Sequence, residues 1–466
     1  MNLRLYLTLS VVFFALYCSP GMGKTDIEAP PLNRTIVALE EAPISCEGGV
    51  ADGAMELTEV LFKAVCESAL VKRNDAAAVS ATAERGKARA PYYPTVSAAV
   101  SGSSFEKAVT YPNFSAGNYS LSGQSGLAEV SVNWLLFDFG KRSANLVAAE
   151  NLVLSALAER QKSARDVILL ASEAFYRLQA AELGLSAALD AERNAQESAD
   201  YAEALRKYGA GGISDRLLAE NSRNQARLRR IDAASERELA RGDLARILGR
   251  PSSDVISIAS PIMESNFSTM STGENLSVLM DNAVFRSPRL ISLARQVNIA
   301  EARLEAAKAE LLPSISMSGS AYKSLTPQAE SVMTQSVRGW SIGLQARIPI
   351  FDGLLQRSNI DSIRAEVDIK RMELAEATHD VQSSLWTNLE GLRRETDKFS
   401  LAQTIVRTSA EAYGAARVRY KAGVGPLLEL LRAQSDEAEA RRQSIESFRR
   451  WQVERVKFVV NFGSDS

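Results

Sequence analysis

The chain has 466 residues, 46% hydrophobic and 24% charged, which is ample apolar material for a core over about two to four domains' worth of length. Its 54 Lys and Arg against 56 Asp and Glu leave a net charge of −2, with no basic stripe for phosphate contacts, so nucleic acid is excluded as a partner. One histidine, His379, and three cysteines exclude HExxH zinc sites, four-cysteine clusters and any Ser-His-Asp scheme that does not use His379, so no enzyme, metal or cofactor is expected.

Arg4, the apolar run Leu5 to Tyr17 and the small residues Ser19 to Gly23 read as a secretory signal cut near Gly23. The run is too short for a membrane anchor, which needs about 20 apolar residues. Tyr17 stands where a lipoprotein signal needs a small residue, so Cys18 leaves with the signal. Cys46, in a Pro/Gly-rich segment, and Cys66, inside the first helical pattern, remain as an even pair in an oxidising compartment. That invites a bridge, two independent thiols being the alternative.

The next elements are a helix over Met55 to Ala90 and, after Pro94, a strand in which Val96, Ala98 and Val100 oppose Thr95, Ser97 and Ser101. A second strand sets Val130, Val132 and Trp134 against Glu129, Ser131 and Asn133. The proline-free run from Lys141 to Arg206 spans roughly 100 Å as a helix, and Ala171, Ala174, Leu178 and Ala181 begin a small-residue seam along it. A glycine-rich turn and a helix over Ile213 to Gly249 follow. Gly209-Ala-Gly211-Gly212 lacks the Gly-Lys-Ser/Thr of a phosphate loop and reads as a turn.

The same elements then recur. Pro94 matches Pro313, Phe137-Asp138 matches Phe351-Asp352, and Lys207-Tyr208-Gly-Ala-Gly211 matches Arg419-Tyr420-Lys-Ala-Gly423, in one order and at nearly one offset. In the second half Trp340, Ile342, Leu344, Ala346, Ile348 and Ile350 alternate with Ser341, Gly343, Gln345, Arg347 and Pro349. Leu385, Leu392, Phe399, Ala402 and Ala416 mark the second long seam, and His379 lies on this helix as an exposed or groove residue. At about 10 residues each, the strands suit a tilted membrane β-strand. A soluble sandwich would alternate likewise, but it has no place for such helices. Four strands cannot close a membrane barrel. Three copies would give twelve strands with room for a serine-lined, watery lumen, hence a homotrimer.

The repeat, the Leu136-Phe-Asp-Phe-Gly-Lys-Arg142 and Pro349-Ile-Phe-Asp-Gly353 motifs and the Tyr-x-x-Gly turns resemble the TolC family of outer-membrane channel proteins, over about Leu57 to Gly463. Leu354 departs from the family's usual glycine, and no C-terminal extension follows Gly463. The resemblance implies a mixed α/β membrane protein: a trimeric twelve-stranded barrel in outer-membrane lipid, continued by a coiled-coil tunnel in the periplasm. It implies a passive duct that meets a periplasmic adaptor protein and an inner-membrane transporter, either ABC or proton-driven. The Cys46 and Cys66 pair looks most like members serving type I protein secretion, with multidrug or metal efflux as the alternative. The implied organisation is a signal over 1–23, a periplasmic segment over 24–54, repeats over 55–250 and 276–463 joined by a linker over 251–275, and a tail over 464–466.

The resemblance also assigns sites. Tyr208, Gly211, Ser214, Tyr420 and Gly423 would form the periplasmic tip that docks the adaptor, with Gly211 and Gly423 at positive φ. Asp215 and Glu429 match acidic positions at the entrance, or else favour the first turns of their helices, and Arg432 stands where a second acid is expected. Trp134, Phe137, Trp340 and Phe351 are candidates for the aromatic belt or for ordinary packing.

Overall fold

The alternating stretches fold as strands and the proline-free stretches as helices. A computed structural model describes residues 54–110, 112, 119–259, 276–327 and 334–462. The signal segment, Cys46 and residues 260–275 of the linker lie outside them. The elements are α1 (Leu57–Glu67), α2 (Ala69–Arg89), β1 (Thr95–Val109), β2 (Tyr119–Phe137), α3 (Lys141–Lys207) and α4 (Ile213–Ile247), then α5 (Leu276–Phe285), α6 (Pro288–Ala309), β3 (Ser314–Pro327), β4 (Thr334–Arg347), α7 (Leu355–Lys421) and α8 (Leu427–Phe462). The order of the first half recurs in the second.

Two expectations needed correction. The single helix expected over Met55 to Ala90 is broken at Ser68, which is extended (φ −60°, ψ 119°) and caps α2 by accepting from the Val71 N–H at 3.5 Å. Strands expected at about 10 residues have 15, 19, 14 and 14. Their pairing runs on past the apolar stretch into Ser- and Gly-rich sequence, where hydrophobic alternation no longer marks a strand.

The four strands form one antiparallel sheet in the order β1-β2-β3-β4, so the two halves meet at β2 and β3 and leave β1 and β4 as edges. Register sorts the faces. Val96, Val132, Gly319 and Ile342 share one row, as do Ala98, Val130, Ala321 and Trp340. On the opposite face Ser97, Ser131, Ser320 and Ser341 fall in a single row, with hydroxyl contacts of 2.8 Å (Ser97 to Ser131) and 3.2 Å (Ser320 to Ser341). One face is therefore apolar and the other is lined with hydroxyls.

The helices run away from this sheet. At 67 residues each, α3 and α7 are both about 100 Å long. Helices α2, α4, α6 and α8 all lie against α3, and α6 and α8 also pack on α7. The seams are buried: Ala171 and Leu178 on α3 and Phe399 on α7 are almost fully enclosed. The largest core joins α1, α2, mid-α3 and the ends of α4 and α8 with Ile256 and Ile258. There the Met55 N–H donates to the Ser257 carbonyl (2.9 Å) and the Ala259 N–H to the Met55 carbonyl (3.0 Å), pinning the first part of the linker to the start of α1. A second core sets Phe399 against Phe448 and Trp451. Among the described residues no helix is long and apolar enough to cross a membrane.

Candidate functional site: tip turns, strand-helix junctions and sheet faces

At the far end of the struts, α3 hands over to α4 and α7 to α8. Each long helix closes in the same way. The Ala210 N–H reaches the Leu205 carbonyl and the Gly209 N–H the Arg206 carbonyl, while Val424 reaches Arg419 and Gly423 reaches Tyr420, at 2.9 to 3.0 Å. These paired bonds are the Schellman closure, whose C′ residue is left-handed. Gly209 and Gly423 both take φ 75°, whereas Gly211 has no positive φ. The expected pairing of Gly211 with Gly423 is thus two residues out of step: Gly209 corresponds to Gly423, and Gly211 to Gly425. Gly211 and Gly425 serve close approach instead. A Cβ on Gly211 would lie 3.1 Å from the Leu205 Cβ, and one on Gly425 3.2 Å from the Arg419 Cβ.

The same shift separates the two tyrosines. Tyr208 lies beyond α3 and is 89% exposed. Tyr420 is buried on α7, edge-on to Tyr201 at 5.4 Å, in a core with Ala202, Ala219, Leu427 and Leu430. Burial, with the nearby Asp215 charge, pushes its phenol above the ordinary range. Tyr420 therefore holds the tip together and does not present a docking surface, while Ser214 is exposed at the start of α4.

Asp215 and Glu429 occupy the same place, the third residue of α4 and of α8, and both are half-buried. Glu429 is paired with Arg419 at 2.7 Å. Around them Glu203 meets Arg206 at 3.1 Å and Arg216 at 3.9 Å, and the Arg206 hydrogen bond holds the Glu203 carboxyl below its ordinary range. The acids at the tip are interleaved with arginines.

At the other end, strand passes to long helix through the Phe-Asp motifs. Two consecutive left-handed residues make each turn: Phe139 (φ 50°) and Gly140 (φ 96°) in the first half, Gly353 (φ 71°) and Leu354 (φ 70°) in the second. Each half has one glycine for two such positions, on opposite sides. Leu354 thus stands where the first half has its glycine, in a conformation costly for a side chain. The aspartates cap the helices: Asp138 Oδ2 accepts from the Arg142 N–H and Asp352 Oδ2 from the Gln356 N–H, both at 2.9 Å.

Only the first junction adds a clamp. The Arg142 guanidinium bonds Asp138 (3.1 Å) and donates to the carbonyls of Pro91 (3.1 Å), Leu135 (2.6 Å) and Leu136 (3.0 Å). It also lies 4.8 Å from the Tyr92 ring centroid. One side chain thereby joins α3, the end of β2 and the turn before β1. Sequence reasoning quoted Arg142 only within the resembling motif and missed its role; its position four residues after a capping Asp was the available signal.

The belt candidates divide. Trp340 and Phe351 are 77% and 80% exposed and Phe137 50%. Trp134 is half-buried and its Nε1–H donates to the Tyr92 carbonyl at 3.1 Å, so it packs the junction. Cys66 is buried on α1 and engaged in a disulfide. Among the described residues no group of His, Cys, Asp and Glu is placed to hold a metal ion.

The family model described as outer membrane efflux protein matches residues 61–250 and 279–457. Protein CyaE of Bordetella pertussis is 28% identical over 401 residues, covering 84% of this chain and 80% of that protein. The proteases secretion protein PrtF of Dickeya chrysanthemi is 24% identical over 56% of this chain and 57% of its own length. Among solved structures, the outer-membrane channel OprN superposes with a TM-score of 0.77 at 18% identity, over 92% of both chains, a likeness of fold.

Proposed function

The chain belongs to the outer membrane efflux protein family, the TolC-like channels, and on that premise we propose that it is the exit duct of a type I protein-secretion machine. The chain is an outer-membrane channel with a periplasmic helical tunnel. Three copies join edge β1 of one to edge β4 of the next, closing a twelve-stranded antiparallel barrel with no free edge in lipid. The carrying observation is the two-faced sheet at the root of the struts: Trp340, Ile342 and Leu344 for lipid, and the aligned serines for a watery lumen. Apolar residues along the struts support the trimer. Leu217, Leu228 and Leu239, three turns apart on α4, are 51%, 63% and 59% exposed in the single chain, and neighbouring copies would cover them.

The energy source is an inner-membrane transporter, reached through a periplasmic adaptor at the tip turns around Tyr208, Gly209, Ser214, Gly423 and Val424. Polypeptide cargo is favoured by the likeness to PrtF, a protein named for protease secretion. Efflux, the word in the family's description, would need the same duct for small-molecule cargo. Deleting the gene separates them. Secretion predicts that a large polypeptide disappears from the medium and accumulates in cells, with tolerance of toxic compounds unchanged. An unaltered medium with new hypersensitivity would overturn it.

A further inference from the structure

The outward face of the sheet is apolar from the helices up to the row of Trp340, the next row carries two cations, and beyond it Ser104, Gln124, Ser122 and Ser336 make the face polar. One row of that face holds Val100, Ala128, Lys323 and Arg338 side by side, next to the row that ends in Trp340. From Trp340 to Ile350 every second residue of the chain is apolar. Within β4, which ends at Arg347, the stretch from Trp340 rises about 18 Å at about 3.3 Å per residue and a tilt of 35–45°, most of the roughly 25 Å lipid-facing band of an outer-membrane barrel, and Ile348 and Ile350 continue the apolar series past the strand. Arg338 and Lys323 lie one row beyond Trp340, about 5 Å higher by the same arithmetic, at the depth of the headgroups.

Both side chains are exposed, and among the described residues neither makes an ion pair. The only carboxylate that register places on their face among the described strand residues is Glu106, several rows away on β1; Glu129 points to the other face. Val130, Ala321 and Trp340 on one side and Val100, Lys323 and Arg338 on the other line a concavity of about 510 Å³, to which Glu129 and Tyr322 of the opposite-facing rows also contribute. Two unpaired cations in register, above a wall of apolar side chains and beside an apolar hollow, complement a ligand with a phosphate head and hydrocarbon chains.

We infer that this row binds the phosphorylated headgroup of an acidic glycolipid of the outer leaflet, one site on each chain. The inference rests on the barrel reading, in which the apolar face meets lipid. Full-length protein is purified in mild detergent from its own outer membrane, alongside Lys323→Gln/Arg338→Gln, and retained glycolipid is counted by native mass spectrometry. The expected result is about 30-fold weaker retention in the variant, from the loss of two headgroup-level cations, at an unchanged trimer level. Added to delipidated protein, a bis-phosphorylated, acylated glucosamine disaccharide raises the thermal midpoint of the wild type and not of the variant. Its dephosphorylated form and inorganic phosphate raise neither. Equal retention by the variant, or an equal effect of either control ligand, overturns the site. Glu129→Gln leaves retention unchanged if the site is on the outward face, and a loss there overturns the placement. A wild type that is monomeric in the same spectra strikes at the barrel reading instead, which is a separate signal.

Discussion

Arg142 and Gln356 hold equivalent places, and the chain asks different things of them. With side-chain exposures of only 13% for Arg142 and 10% for Asp138, the first junction is a partly buried ion pair with additional carbonyl partners. Arg142→Ala takes the guanidinium from Asp138, which keeps its bond from the backbone N–H of residue 142, and from three carbonyls, at a cost of about 1.5–3 kcal/mol, read as a lower urea midpoint for loss of the sheet signal. Gln356→Ala removes none of these bonds and leaves the midpoint nearly unchanged. The tip glycines act differently. Gly423→Leu forces a side chain into φ 75°, at about 1–2 kcal/mol, and Gly211→Leu collides with Leu205. Both changes are local and about 100 Å from the barrel. The expected outcome is intact trimers with lost adaptor crosslinking and lost export; full export would leave these glycines as turn formers only. For the entrance acids, Asp215→Ala shifts the ion selectivity of reconstituted channels more than Glu429→Ala, because Arg419 already neutralises Glu429. Identical single-channel records would return both to the role of helix-start residues.

The elements were legible to different depths. Alternation around Trp340 and the spacing of Ala171, Leu178 and Phe399 disclosed strands and seams, because burial on one side imposes a period. The break at Ser68 was hidden, since the apolar pattern continues across it and only the backbone conformation of one residue decides it. The tip was misaligned for a related reason. Lys-Tyr-Gly-Ala-Gly and Arg-Tyr-Lys-Ala-Gly look alike as strings, but a turn is set by which residue is left-handed, and that is Gly209 in one and Gly423 in the other. Helix α8 carries its own test. Arg442 holds Glu439 down to about 2, and Arg449 lowers Glu446 in the same direction. A carboxyl lowered in the folded state stabilises fully above its unfolded value and loses that contribution as pH falls through the folded one. The helical signal should therefore melt at lower temperature at pH 2 than at pH 6. Glu439→Gln should lower the melting temperature at pH 6, and the difference from the wild type should shrink to nearly nothing by pH 2, where Glu439 is about half protonated. A difference that is the same at both pH values would assign Glu439 a role independent of its charge. The proposed bridge between Cys46 and Cys66 ties the segment before α1 to that helix. It predicts a linked peptide pair on digestion of oxidised protein, and free Cys46 would exclude it.

At the scale of the whole molecule, β1 and β4 are open edges in the single chain, and Leu228 on α4 is 63% exposed. Leu228→Glu puts a charge where a neighbouring copy would pack, so native mass spectrometry should show fewer trimers while the chain keeps its helical content. Undiminished trimers would place that face outside the assembly. The two halves also differ in how each long helix is anchored at the sheet. Helix α3 is clamped by Arg142 to the end of β2 and to the turn before β1, while α7 begins behind Asp352 and Gln356 with no such clamp. On a rod of about 100 Å, every degree of play at the root becomes nearly 2 Å of sweep at the tip. The second-half rod is then the one less firmly held at its root, and what keeps Gly423 in step with Gly209 is the tip itself, where Tyr420 meets Tyr201 and Arg417 pairs with Glu197 at 2.6 Å. A mouth that widens by movement of the second rod would first have to part these contacts.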